Sequence, residues 1–174
     1  MIAQCACGKI EFEAAGRPIL SAACFCDDCQ EGSRQIEALP GAPPVRDADG
    51  GTPYVLYRKD RFRCSRGGEL LRELRLREGS PTKRVVASCC NSGMYVDFEK
   101  GHWLSIYRGR FVGPTIPVEM HIQTRFKPQY ASASTEVPSY ASFPVRLIVK
   151  LLLARLAMLV HPMRTSRRSA PPEK

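Results

Sequence analysis

Cys24-Phe25-Cys26-Asp27-Asp28-Cys29 places three thiols within six residues, close enough for one metal ion to gather them all. Zinc suits such a set. A thiolate binds zinc at about 2.3 Å and four ligands complete a tetrahedron, so the knuckle fills three corners and leaves one to come from elsewhere. The occupant of that corner divides the chemistry: a protein side chain makes the centre structural, whereas water or substrate makes it a Lewis-acid or thiol-binding site. Asp27 and Asp28 read as local structure rather than ligands, because either can cap a helix that begins at the knuckle.

A second half-site lies in Cys5-Ala6-Cys7-Gly8, where the glycine lets the backbone turn tightly enough for both sulfurs to face one ion. Two thiols cannot finish a tetrahedron, and the partners at hand are Cys89 and Cys90, at the end of the apolar run through Val85 and Val86. Adjacent cysteines point to opposite sides of a regular strand. Both reach one ion only if the backbone bends, as Asn91-Ser92-Gly93 permits; otherwise Cys90 binds and Cys89 packs as a small hydrophobe. Cys64 stands alone and reads as a packing residue, in reserve as a ligand if Cys89 points away. His121 is either a proton shuttle facing the metal or, in the plainer reading, a solvent-facing strand residue, and His102 is a pocket or edge residue. No histidine is assigned to metal. Eight cysteines in a chain that opens Met-Ile-Ala-Gln-Cys, without a basic or apolar leader pattern, favour a reducing cytoplasmic setting and chelation over disulfides.

The elements that must position these thiols read as short strands. Ile10 and Phe12 alternate with charged residues, Tyr54 to Tyr57 follow Thr52-Pro53, and Arg61 to Cys64 comes next. Gly67-Gly68 leads into Leu70 to Leu76, Gly79-Ser80-Pro81 turns the chain again, and Met94, Val96 and Phe98 alternate after it. Thr115 to Phe126 predicts a long strand with Val118, Met120, Ile122, Thr124 and Phe126 on one side. The whole argues for an antiparallel, mainly β body with a proline-rich surface loop from Pro40 to Pro53.

The charge of +9 is not spread evenly. From Val145 onward there are seven basic residues and one acidic one, which leaves 19 against 16 in the rest. The body is nearly balanced, and nucleic acid is not the expected partner. Residues 127–143 read as a Ser/Ala/Pro/Tyr linker, 144–163 as an apolar, basic helix and 164–174 as a disordered basic tail, following a zinc-binding domain over 1–126. The helical run from Val145 to Val160 spans about 24 Å, short of the ~30 Å hydrocarbon core, and carries three cations. It either packs on the domain or a second subunit, or lies on a membrane surface with the following arginines against anionic lipid.

The combination of Cys5-x-Cys7-Gly8, Cys24-x-Cys26-x-x-Cys29 about twenty residues on, and a late cysteine knuckle before a strand resembles the glutathione-dependent formaldehyde-activating enzyme (GFA) family, which includes centromere protein V. The resemblance covers about residues 3–125. It implies a β-tent fold of small antiparallel sheets with zinc knuckles, to which this chain adds the C-terminal helix, and two zinc ions. Cys24, Cys26 and Cys29 match the family's catalytic-type ligands, and Cys5 and Cys7 match half of its structural site. The late pair departs from the family's Cys-x-x-Cys-Gly: with Cys90 on the second cysteine, Ala87 stands at the first, and Cys89 must substitute from a neighbouring position. In the family such a loop lies near the zinc cleft, which makes residues 40–53 a candidate pocket wall. The implied function is a carbon-sulfur lyase acting on adducts of a small, glutathione-like thiol and an aldehyde. The competing expectation is a non-catalytic zinc module that binds a protein partner or membrane surface through residues 144–168.

Overall fold

The computed structural model describes residues 1–128 and 136–160. Its strands are β1 (Ile2–Gln4), β2 (Glu11–Ala14), β3 (Leu20–Cys24), β4 (Thr52–Arg58), β5 (Phe62–Arg66), β6 (Leu71–Leu74), β7 (Thr82–Ala87), β8 (Gly93–Phe98), β9 (Trp103–Tyr107) and β10 (Met120–Ile122). Two α-helices accompany them, α1 (Asp27–Glu37) and α2 (Val145–Val160). The fold is mainly β, in two sheets: a three-stranded one ordered β1-β2-β5 and a seven-stranded one ordered β10-β3-β4-β9-β8-β7-β6. Every pairing is antiparallel except β10 with β3, which is parallel in the register Met120 to Ala22 and Ile122 to Cys24. The second sheet is thus larger than the small antiparallel sheets expected, and one of its edges has the opposite sense.

Alternation explains why the strands sit where they do. On β2, Phe12 and Ala14 are buried while Glu11 and Glu13 face outward. β4 is buried at all seven positions because it lies between two cores. Val55 and Tyr57 join Ile10, Phe12 and Ile106 in one, between the sheets, while Tyr54 and Leu56 join Leu20, Ile36 and Tyr107 in the other. A strand buried on both faces reads as a continuous apolar run, as Tyr54-Val55-Leu56-Tyr57 does. Each large side chain fully removed from water there contributes about 1.5–3 kcal/mol.

The long strand expected over Thr115 to Phe126 is corrected to three residues. Pro117 supplies no amide for a ladder, and Gln123 adopts a left-handed backbone with φ of 59°, after which Thr124–Phe126 forms a 3-10 turn. His121, expected to face solvent, is buried instead, with its ring edge-on to Phe25 and its Nδ1 3.4 Å from the Ser139 hydroxyl. The segment read as a linker is described at 127–128 and 136–143 and is attached to this edge. The His121 amide donates to the Pro138 carbonyl at 2.8 Å, and the Tyr140 amide donates to the His121 carbonyl at 2.9 Å.

Helix α2 follows. Leu147 is buried against the second core with Leu151 beside it, Lys150 pairs with Glu119 at 2.7 Å, and the His102 Nε2–H donates to the Leu151 carbonyl at 2.8 Å. Among the described residues no helix is long and apolar enough to cross a membrane. The expected basic tail, 164–174, and the last residues of the expected helix lie outside the described residues.

Candidate metal centres

The first centre joins the two sheets. Cys5 leaves β1 into a turn in which the Gly8 amide donates to the Cys5 carbonyl at 3.0 Å, and Gly8 adopts φ of 73°, a left-handed conformation that glycine enters without strain. The Ile10 amide donates to Cys5 Sγ at 3.3 Å, aiming the sulfur. From the other sheet, the turn after β7 brings Cys89 and Cys90. Asn91 has φ of 53°, which supplies the bend that lets neighbouring cysteines face the same way. The Ser92 hydroxyl accepts the Ala6 amide at 3.0 Å and fastens one turn to the other.

Sulfur separations are 3.5 Å for Cys5 to Cys7, 3.4 Å for Cys7 to Cys89, 3.8 Å for Cys5 to Cys89 and 3.9 Å for Cys89 to Cys90. All four sulfurs lie within 4.8 Å of one another. A tetrahedron with metal–sulfur bonds of about 2.3 Å has sulfur–sulfur edges of about 3.8 Å. A disulfide needs about 2.05 Å. The spacing therefore fits chelation, and no cysteine of the chain is bridged. Cys64 stays apart, with its thiol donating to the Arg66 carbonyl at 3.3 Å.

The second centre is built at one helix end. Cys24 closes β3, Cys26 occupies the cap position of α1 and Cys29 lies in its first turn, with the three sulfurs within 4.8 Å of one another. The cap was expected from Asp27 or Asp28. It falls to Cys26, which makes no side-chain capping bond, and the aspartates sit in the first turn, where their charge meets the positive end of the helix dipole. The Cys24 thiol donates to Cys26 Sγ at 3.5 Å. That bond, with a second from Cys29, pulls the Cys26 thiol down to about 3, and a smaller part comes from the Arg84 guanidinium; Cys24, as the donor, is pushed up to about 12. A thiolate at a helix N-terminus beside an arginine is the arrangement expected of a ligating or reactive sulfur.

Around the sulfurs the sequence hides three further residues. Arg84 is buried on β7 and donates through Nη2 to the Asp28 carbonyl, while its Nε lacks a protein partner. Gly32, in the middle of α1, makes room for it: a Cβ there would come within 1.8 Å of Arg84 Nε. The Tyr54 hydroxyl donates to Cys29 Sγ at 3.8 Å, and Tyr107 packs on Tyr54 with ring centroids 5.1 Å apart and an unpartnered buried hydroxyl. Buried cationic and hydroxyl donators without full partners suit an anionic, thiolate-rich centre. The available signal was Gly32, which weakens a helix interior and so calls for a packing reason.

The knuckle is locked from the far end of the chain. The Phe25 amide donates to the Ile122 carbonyl at 3.1 Å, and Gln30 Nε2 donates to the Phe25 and Phe126 carbonyls at 2.6 and 2.8 Å. Among the described residues no histidine, aspartate or glutamate joins either sulfur group. The loop over residues 40–53 does wall a cleft of about 380 Å³, through Val45, Arg46 and Asp47 opposite Tyr107, Arg108 and Arg110. None of the seven cysteines lines it.

Two sheets and two cysteine knuckles define a β-rich protein equipped to hold metal. The sequence model of the family described as glutathione-dependent formaldehyde-activating enzyme matches residues 1–40, which contain five of the seven clustered cysteines. The resemblance to that family is shown over this stretch. No curated protein matches the chain. Among solved structures, a Rhodobacter sphaeroides protein is similar at 17% identity, covering 66% of this chain and 90% of its own, with a TM-score of 0.47.

Proposed function

We propose that the chain binds two zinc ions, one structural at Cys5, Cys7, Cys89 and Cys90 and one reactive at Cys24, Cys26 and Cys29, and that the second serves a carbon-sulfur lyase reaction on the adduct of a small thiol and an aldehyde. The observation that carries this reading is the count of donors: four sulfurs complete the first set, whereas three sulfurs make up the second and no further ligating side chain joins it among the described residues. When bound there, zinc would offer an open position to a soft sulfur or a carbonyl oxygen.

The chain's own residues support that role. Three thiolates and one divalent ion carry a net charge of −1, and the Arg84 guanidinium offsets it from a buried position. Tyr54 holds its hydroxyl proton at Cys29 Sγ, lowering the donor strength of that thiolate and leaving the ion more electrophilic. Burial of Tyr54 and Cys24 keeps bulk water from that side of the set. Free thiols and a lyase that handles a small thiol both suit a reducing cytoplasmic compartment.

Metal analysis of anaerobically purified protein tests the assignment. Two zinc ions are expected, falling to about one in Cys26→Ser with the fold intact, together with turnover of a thiol and aldehyde pair that this variant loses. One zinc ion in the native chain, or unfolding of the variant, defeats the assignment of a separable reactive centre. A second reading, a non-catalytic zinc module, is favoured by the absence of any cysteine from the cleft that residues 44–47 wall. Two zinc ions without turnover of any such pair would select it.

A further inference from the structure

Helix α2 shows its more apolar side to the outside. Its inner stripe carries Leu147, Lys150, Leu151, Met158 and two alanines, while eight Val, Ile and Leu residues face away from the domain, from 45% exposed at Val149 to 74% at Val145. At 100° per residue these eight fall in one uninterrupted arc of about 140°, centred near Leu152 and Leu156. Arg155 stands at one border of the arc and Arg146 at the other; both are exposed. So wide and continuous an aliphatic face marks an interaction surface rather than scattered exposure.

We infer that this face rests on the surface of an anionic lipid bilayer, with α2 lying in the plane of the headgroups. Charge complementarity selects the occupant. The helix has no acidic residue, Arg155 at one border is placed to reach headgroups, Arg146 at the other is 59% exposed although it also lies 3.8 Å from Glu119, and the sequence beyond the helix adds Arg164, Arg167 and Arg168 against the single acid Glu173. Sixteen residues span about 24 Å, too little to cross the ~30 Å core, so the helix lies flat. A second copy of the chain fits less well. Self-pairing through α2 would need an acidic partner for Arg155 that the helix lacks, and one 24 Å helix buries well under the roughly 800 Å² per partner of a stable interface. The contacts of Lys150 with Glu119 and of the Leu151 carbonyl with His102 hold the opposite face on the domain, leaving the arc free to meet the bilayer.

Flotation of the full, zinc-loaded chain with vesicles tests this without reference to the metal chemistry. Binding is expected to 3:1 phosphatidylcholine–phosphatidylserine vesicles and to fall as salt is raised. Leu152→Glu with Leu156→Glu, both on the outer face and outside the core, should weaken it at least about tenfold while circular dichroism and zinc content stay unchanged. Arg155→Glu should weaken it by about tenfold on the charged vesicles. A native chain that stays unbound, or a double variant that binds as well as the native chain, overturns the inference. So does a dimer that the double variant dissolves while no vesicle binding is seen, which would give the face to a second copy.

Discussion

At the scale of single residues, the three-cysteine grouping was legible because the thiols of a knuckle are close in sequence. Cys24, Cys26 and Cys29 are neighbours before the chain folds, and the turn at Gly8 needs no distant partner. Arg84 was not legible, because its place beneath Cys26 depends on a strand reaching a helix 56 residues away. The pair it makes with Gly32 yields a prediction. Gly32→Ala would force a Cβ into the guanidinium, so the metal-loaded protein should lose about 1–3 kcal/mol in urea unfolding. Arg84→Gln should lower zinc affinity of the three-sulfur set by about 10- to 100-fold in chelator competition, leaving the four-sulfur set unchanged. Unaltered stability and affinity would mean that the buried cation has no part in the centre.

At the scale of elements, periodicity found most strands and failed where a special backbone intervened. The alternation over Val118 to Phe126 is real in sequence, yet the left-handed Gln123 ends the strand and turns the following residues onto the knuckle. The misreading of His121 has the same origin: a parallel edge strand covered by Ser139 and Phe25 buries the side that a free edge would expose. Glu119, just before this strand, ties it to α2. Burial pushes its carboxyl up, but the Lys150 ammonium, the Ser21 amide and Arg146 outweigh burial and hold it below the usual carboxylate range. A depressed folded value means that the contribution is full above the unfolded value of about 4.3 and is lost as pH falls through the folded one. Glu119 is 35% exposed, so solvent screening keeps the contribution below about 1 kcal/mol. Hydrogen exchange over 145–160, corrected for intrinsic rates, should therefore show protection that weakens below about pH 4. Glu119→Gln should show the weakened level already at pH 7, and full protection in that variant would remove the carboxylate from the docking.

At the scale of the molecule, the mainly β character was legible from strand length and turn spacing. The size of the second sheet and the parallel sense of β10 were not, because edge order is set by contacts between segments far apart in sequence. The four-sulfur centre is one such contact and fastens the three-stranded sheet to the seven-stranded one. Cys89→Ser should therefore cost on the order of 3–5 kcal/mol, or about 10 °C in thermal midpoint, and a strong chelator should reproduce the loss in the native protein. An unchanged midpoint in the variant would leave Cys89 as packing and return Cys64 to consideration.

The separation of 84 positions from Cys5 to Cys89 also imposes an order of events during synthesis. At roughly 5–20 residues per second the ribosome releases Cys89 about 4–17 s after Cys5, whereas the thiols at 24, 26 and 29 emerge within about a second of one another. Throughout that interval the knuckle set has first claim on incoming metal, while Cys5 and Cys7 wait as an unfinished pair open to oxidation. Were metal scarce, the three-cysteine set would thus be filled first and the chain lost through the incomplete joint between its sheets.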